Sequence, residues 1–317
     1  MDLSSVRAVF GDKAIAGEPM SRHTTFGIGG PADLFVVAHR PSQLCSAVQH
    51  AYEHNVPFFI LGSGANVLVA DKGIRGLVIH NQATAIHIAQ QPEGDTWLVR
   101  AESGALLRTV ARQAMDQDLA GLEWAVDVPG TVGGAVVGNA GAFGGYISDT
   151  LVRALVFSCQ EGRQCQGFRW AASWWSKEAL KLGYRTSALK ESITGAGFAP
   201  VILEAAFALR RDDPVALKER AAQYTRRRLE TQPTGPSAGS VFKRTTQYPA
   251  GFLIENAGLK DTRVGGAVIS PQHANFIVNV GGATAQDVRK LIELVREKVH
   301  AQFKIMLELE IQLVGDW

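Results

Sequence analysis

Residues 129–145 read PGTVGGAVVGNAGAFGG, with glycine at seven of seventeen positions and no charged side chain. Glycine loses more backbone freedom on folding than any other residue, so such a run marks a place where something must lie against bare backbone. Two uses are open. Small residues let one backbone cross close to another, and positions with positive φ favour glycine. Alternatively, successive N–H groups converge on an anion that no Cβ holds away. A second run, LGSGANVLV at 61–69, also follows a β-prone stretch. Two such cradles suit a diphosphate cofactor. Neither is a Walker loop, because no Gly-Lys-Ser/Thr follows. Neither is a dinucleotide fingerprint, because the third glycine position after Gly62 and Gly64 is Val67.

The 317 residues are 46% apolar and 20% charged, enough for two or three domains with cores of their own. A formal charge of +2 recommends neither nucleic acid nor an anionic membrane as partner. No apolar run reaches the length of a membrane span, and the first residues lack a basic segment followed by a hydrophobic one. The expectation is an unprocessed, cytoplasmic chain. Three cysteines, Cys45, Cys159 and Cys165, are too few for a disulfide framework, and neither they nor the eight histidines show metal-ligand spacing. No metal site is expected.

Hydrophobic periodicity gives an α+β chain with mixed sheets, divided at 1–82, 83–209 and 210–317. ADLFVVA (32–38), VPFFIL (56–61) and GLVIH (76–80) read as strands. Ser42 is placed as the cap of a helix with Leu44, Ala47, Val48 and Ala51 on one face. WLVRAE (97–102) is a strand before a helix whose Leu106, Leu107, Val110, Ala111 and Ala114 share a stripe. LVRALVFS (151–158) and VILEAAFAL (201–209) are strands. SWWSKEALKLGYRTS (173–187), between them, reads as a short helix ended by Gly183.

In the third part, residues 213–232 form a long charged helix, 233–239 a turn-rich break, 250–258 a helix and 274–280 a strand. Residues 284–303 place Val288, Leu291, Ile292, Val295, Val299 and Phe303 at helical spacing behind a Thr284/Asp287 capping box. LELEIQLV (307–314) alternates as a strand, with Leu307, Leu309, Ile311 and Leu313 facing one way and Glu308, Glu310 and Gln312 the other.

Ten stretches, in order, carry a resemblance: HTTFGIGGPAD, LGSGANVLV, IRGLVI, PGTVGGAVVGNAGAFGG, GYRTS, SAGSVFKR, AGFLIENAGLK, RVGGAVIS, HANFIVN and LELEIQLVG. Over nearly its whole length the chain resembles the UDP-N-acetylenolpyruvoylglucosamine reductases, the MurB family. The resemblance implies a vanillyl-alcohol-oxidase-type (PCMH-type) fold, in which two α+β subdomains clasp non-covalent FAD and a C-terminal α+β domain binds substrate. It implies an NADPH-dependent flavoprotein that reduces the enolpyruvyl ether of UDP-N-acetylglucosamine to UDP-N-acetylmuramate in peptidoglycan precursor synthesis. The implied partners are that nucleotide sugar and NADPH, with no nucleic acid, no membrane and a monomeric chain. Another oxidase of the same flavoprotein class and a non-catalytic nucleotide-binding protein are the alternatives.

The matched positions assign candidate roles. Gly62, Ser63, Gly64, Ala65, Asn66 and Val67 would line the cofactor, with Pro129, Gly130, Thr131, Val132, Gly133, Gly134, Asn139, Ala140, Gly141 and Ala142. Gly144 and Gly145 are open to a packing role. Ser240 would donate a proton, Arg185 would pair with the substrate carboxylate, and Glu310 would help polarise it; Glu308 is the decoy on the same strand face. Lys243 stands near Ser240 and could favour its alkoxide. Tyr184, Lys243, Arg244, His273 and Asn275 would contact the UDP-sugar, although His273 and Asn275 could equally be satisfied core groups. The run Arg226, Arg227 and Arg228 reads as a solvated helix face. The chain departs from the family at Arg244-Thr245 (Asn-Pro in many members), Phe252 (frequently lysine) and Phe143 (frequently tyrosine). It also lacks a tyrosine-bearing loop in 205–225, as in the shorter, second family type.

Overall fold

The computed structural model describes residues 3–92, 94–160, 169–190 and 200–317; Cys165 lies outside them. Contacts group the chain into two compact units. Unit 1 holds Met1–Val36, His54–Val78 and Arg227–Trp317; unit 2 holds Val37–Glu53 and Ile79–Arg226.

Unit 1 begins with helix α1 (Ser4–Phe10) and strand β1 (Ile15–Pro19), followed by β2 (Pro31–Ala38), β3 (Phe58–Leu61), β4 (Val67–Val69) and β5 (Ile74–Asn81). The order β1-β2-β5-β3 makes a four-stranded sheet. Along β2, Ala32, Leu34, Val36 and Ala38 are buried on one face and Phe35 on the other, as a strand with an apolar run of LFVVA requires.

Unit 2 takes helix α2 (Pro41–Glu53), which buries Leu44, Ala47, Val48 and Ala51. Ser42 is not its cap: the helix already starts at Pro41, whose fixed φ and missing N–H suit the first helical position. Its sheet is antiparallel, with order β12-β11-β13-β7-β6. The strands are β6 (Ile86–Gln90), β7 (Thr96–Glu102), β11 (Leu151–Gln160), β12 (Arg169–Ser176) and β13 (Val201–Arg211). Short β8 (Leu119–Ala120) pairs with β13, and β9 (Gly141–Ala142) with β10 (Gly145–Tyr146). One core joins Val99, Ala154 and Phe207 of the sheet to helices α3 (Leu107–Met115) and α4 (Val132–Val137), with Ile147 from the short α5 (Ile147–Thr150).

Helix α6 (Pro214–Thr231) leads back to unit 1, which continues with α7 (Ala250–Asn256), the antiparallel β14 (Arg263–Val264), β15 (Ala267–Ile269) and β16 (Ile277–Asn279), α8 (Ala285–Phe303) and β17 (Gln312–Val314). Strand β17 pairs in parallel with β4, Gln312 opposite Val67 and Val314 opposite Val69. One core then joins Phe26, Ile28 and Leu68 to Leu253, Ile254, Leu291, Ile292, Val295 and Leu307. That pairing is why the first and last stretches of the chain share a unit.

Helix α8 starts as its sequence requires: Asp287 N–H donates to Thr284 Oγ1 and Thr284 N–H to Asp287 Oδ2. A further acceptor comes from far away in sequence. The Asp71 carboxylate accepts from Ala285 and Gln286 N–H at 2.8 and 3.0 Å, satisfying two orphan donors of the first turn.

Two expected elements differ. Residues 173–176 end strand β12 instead of opening a helix. Alternation sends Trp175 onto the core and Trp174 outward beneath Arg153, whose Cζ lies 4.5 Å from the ring centroid. Aromatic residues packed on a pleated surface outweigh helical spacing here. Gly183 instead opens a tight turn closed by Gly183 N–H to Thr186 C=O. LELEIQLV is likewise not one strand: it bends at Glu310–Ile311, and only Gln312–Val314 is extended in a ladder. Leu307 and Ile311 are buried, but Leu313 is 38% exposed, so the alternation ends at the bend.

The Thr284 N–H holds the Asp287 carboxyl below its ordinary range. A depressed native value adds stability that is present above the unfolded carboxyl pKa and lost as pH falls. Urea unfolding should therefore show Asp287→Asn less stable than the parent above about pH 5, with the gap closing below about pH 3. A gap that persists at low pH would assign the effect to shape instead of charge.

Candidate active site

In unit 1 three backbone segments meet. Ser240 bridges Phe276, Val241 N–H donates to Asn275 C=O at 2.8 Å, and Glu310 N–H donates to Val241 C=O at 2.8 Å. Ser240, Asn275 and Glu310 thus stand on adjoining chains. The 62–67 loop joins them: Asn66 Nδ2 donates to Glu310 C=O at 3.1 Å, and Gln312 N–H donates to Asn66 C=O at 2.9 Å. Thr25, which sequence reasoning did not single out, ties the loop from the other side. Its N–H donates to Gly64 C=O at 3.1 Å and its hydroxyl to Ser237 C=O at 2.7 Å. The signal was available in HTTFGIGG, whose residues were used for the resemblance and given no role.

Side chains in this group have distinct employments. Glu308 is 75% exposed and pairs with Lys243 Nζ at 3.1 Å, which fits its reading as a decoy. That pair also turns the Lys243 ammonium toward Glu308. An exposed pair of this kind is weak, so a phosphate can displace the carboxylate. Arg244 is exposed. Asn275 is buried, and both ends of its amide are spent on Phe242: Oδ1 accepts from Phe242 N–H at 3.0 Å and Nδ2 donates to Phe242 C=O at 2.9 Å. Of the two readings open for Asn275, the satisfied core group is the one its bonds describe. Burial pushes the His273 imidazole below its ordinary value, and Nδ1 accepts Asn275 N–H at 3.2 Å. The neutral ring therefore carries its proton on Nε2.

Unit 2 holds the other group. Tyr184 and Arg185 occupy the Gly183–Thr186 turn, and Arg185 adopts φ +57 without being glycine. Such a conformation is held against its intrinsic cost by its surroundings. Arg185 Nη2 donates to Gly141 C=O at 3.3 Å, Lys190 Nζ donates to Arg185 C=O at 2.8 Å, and Ser187 Oγ donates to Val137 C=O at 2.7 Å. Buried Asn139 completes the fastening: Nδ2 donates to Gly183 C=O at 3.0 Å and Oδ1 accepts Ser148 N–H at 3.0 Å. Its side chain serves the Arg185 turn. Lys190 and Ser187 were not anticipated.

The seven glycines divide by cause. A Cβ at Gly145 would enter the indole of Trp124, one at Gly141 the ring of Tyr146, and one at Gly133 would lie 3.0 Å from the Ser103 side chain. Those three are packing. Gly130 and Gly144 take φ of +122 and +94. Gly134 and Gly138 have neither reason: a Cβ would meet only ordinary contacts, at 3.7 and 3.5 Å. Gly134 lies on α4, where it costs about 1 kcal/mol of helix propensity, and Gly138 follows one turn later as the C-cap residue of that helix. The donor count also narrows, because Val132 and Gly133 N–H are spent on Ala105 and Ser103 C=O at 2.8 Å each. The bare face of Gly134 and Gly138 fits a flat ring system laid against backbone. In the other loop, Ser63 Oγ is buried with no hydrogen-bond partner, which fits a missing polar ligand such as a phosphate oxygen. The residues present therefore fit a flavin dinucleotide.

Among the described residues no cluster of His, Cys, Asp and Glu could hold a metal ion, and no helix is long and apolar enough to cross a membrane. Burial raises the Cys45 thiol to about 11, which leaves it protonated and unreactive at neutral pH. Arg226 and Arg227 are exposed and Arg228 is half-buried.

Residues 32–166 match an FAD binding domain, and residues 231–314 match the C-terminal domain of UDP-N-acetylenolpyruvoylglucosamine reductase. The UDP-N-acetylenolpyruvoylglucosamine reductase of Alkaliphilus oremlandii is 40% identical over 96% of this chain and 94% of its own length. That of Clostridium novyi is 42% identical over 94% and 91%. The crystal structure of the Thermus caldophilus enzyme superimposes with a TM-score of 0.74 at 30% identity, covering 95% of this chain and 98% of the other.

Two glycine substitutions separate packing from ligand contact. Gly145→Ala should lower the denaturation free energy of FAD-free protein by about 2 kcal/mol, the cost of overpacking against Trp124. Gly134→Ala should leave it unchanged or raise it by up to about 1 kcal/mol, while weakening FAD uptake in a fluorescence titration. Unweakened uptake in Gly134→Ala would remove the helix face from the cofactor's footprint.

Proposed function

The chain belongs to the UDP-N-acetylenolpyruvoylglucosamine reductase family, and we propose that it carries out the family's reaction with the unit 1 and unit 2 residues named above. It is an FAD-dependent oxidoreductase of the α+β, vanillyl-alcohol-oxidase-type fold. The observation that carries the residue assignment is the hydrogen-bonded contact of three chains in unit 1. Ser240 and Glu310 are neighbours across Val241, and Asn66 ties Glu310 to a loop matched by the FAD binding domain.

FAD, when bound, supplies the two-electron relay that takes hydride from NADPH and delivers it to the terminal vinyl carbon of the enolpyruvyl ether. The adjacent carbon then bears negative charge delocalised into its carboxylate, and the chain's own groups must manage that charge. Arg185 would pair its forked donors with the carboxylate, held ready by the fastened turn that fixes its positive φ. Ser240 Oγ would give its proton to the adjacent carbon, completing the saturated ether. Glu310, half-buried at the bend, would act as a protonated acid and donate a hydrogen bond to the carboxylate as its charge grows. Lys243 would exchange Glu308 for the diphosphate, with exposed Arg244 and Tyr184 beside the nucleotide sugar. The segments 1–82 and 83–209 would share the cofactor and 210–317 the substrate, in a monomeric cytoplasmic enzyme.

The test is anaerobic. NADPH should bleach the flavin band, and UDP-N-acetylenolpyruvoylglucosamine should restore it. Ser240→Ala should bleach at the parent's rate but recover about 10²- to 10⁴-fold more slowly, the usual worth of a positioned proton donor. Recovery at the parent's rate would take the proton-donor role away from Ser240.

A further inference from the structure

Asn275 carries the inference. It is a polar side chain at 7% exposure whose amide oxygen and nitrogen both bond one neighbouring peptide segment. Its Oδ1 and Nδ2 clamp Phe242 N–H and C=O, and its own C=O takes Val241 N–H. From the opposite side, Val241 C=O takes Glu310 N–H. The Val241–Phe242 dipeptide is therefore gripped between Asn275 and Glu310, with Ser240 immediately before it and Lys243 immediately after. A slip of this segment by one residue would exchange the faces of Ser240 and Val241. Backbone ladders alone resist such a slip weakly in a contact this short. A side-chain amide that matches one specific N–H and C=O pair resists it strongly, because any other register leaves buried polar groups without partners.

We propose that Asn275 is a positioning residue that sets the Ser240 hydroxyl relative to Glu310, instead of a ligand of the nucleotide sugar. The inference rests on the reading of Ser240 as proton donor. The His273 ring fixes Asn275 in turn, through Nδ1 and the Asn275 N–H. The charged groups around this clamp are Lys243, Glu308 and Glu310 from the adjoining segments, with Glu255 and Lys260 acting on His273.

The test uses FAD-loaded protein and measures the two half-reactions separately. Asn275→Asp preserves shape, but its ionised form has no donor for Phe242 C=O, whereas its protonated form does. Bleaching by NADPH should stay within about twofold of the parent. Recovery at saturating UDP-N-acetylenolpyruvoylglucosamine should slow by about 10- to 100-fold at pH 8, the cost of a reacting group misplaced by about an ångström. Burial at this position favours the neutral form of the introduced carboxyl, so the deficit relative to the parent should shrink as pH falls to 6, and the half-saturating nucleotide concentration should stay within about twofold. A raised half-saturating concentration with an unchanged maximal recovery would make Asn275 a substrate ligand and overturn the proposal. Equal slowing of both half-reactions, or of neither, would also overturn it. If the carboxylate variant does not fold, Asn275→Ser, which leaves room for a bridging water, should show the same split. Failure of the parent itself to recover its colour would instead overturn the underlying reading of function.

Discussion

The change of partner at Glu310 governs the arrangement of unit 1. Before it, the chain lies against the Ser240–Lys243 segment, with Lys243 N–H donating to Glu308 C=O and Glu310 N–H to Val241 C=O. After it, the chain becomes the parallel partner of β4. The peptide at the junction is held from both sides, since Glu310 C=O takes the Asn66 amide. Each bond is worth about 1 kcal/mol net, but an unmade bond at this point would strand polar groups that have no alternative. The bend is thus enforced by hydrogen-bond accounting as well as by the burial of Leu307 and Ile311 on either side.

Much of the framework was legible in the sequence, and the reasons are local. The helices at 41–53, 107–115 and 285–303 bury most of the residues their 3.6 spacing nominates, with Leu106 half-buried just before its helix and Phe303 half-buried at the end of its own, and the Thr284/Asp287 box closes as written. Those signals depend on residues within a few positions of one another. Failures arose where a distant partner decides. Trp174 and Trp175 lie in a strand because β11 is beside them, and LELEIQLV loses its alternation because it leaves one neighbour for another. The cap of α8 is completed by Asp71, more than two hundred positions away.

The site follows the same division. A resemblance can assign Ser240, Arg185 and Glu310 by position, but it does not say what each side chain already touches. Asn139 and Asn275 match motif positions, yet each spends its amide on backbone. Glycine is the extreme case, because its reason for being there lies wholly in its surroundings. Trp124, Tyr146 and Ser103 account for three of the seven, two have positive φ, and two remain for a ligand. No periodicity in the chain separates these causes.

The parallel pair of β4 and β17 also has an implication for biogenesis. Because β17 comes last among the strands, a nascent chain leaving the ribosome holds the 62–67 loop exposed and half-built until nearly all of the intervening protein has emerged. Domains with continuous sequence can consolidate as they are made, whereas this one must wait until β17 has been made. Unit 2 lies mostly within one unbroken stretch and can consolidate first. Completion of the shorter loop is then a late event, coupled to the arrival of β17 beside β4.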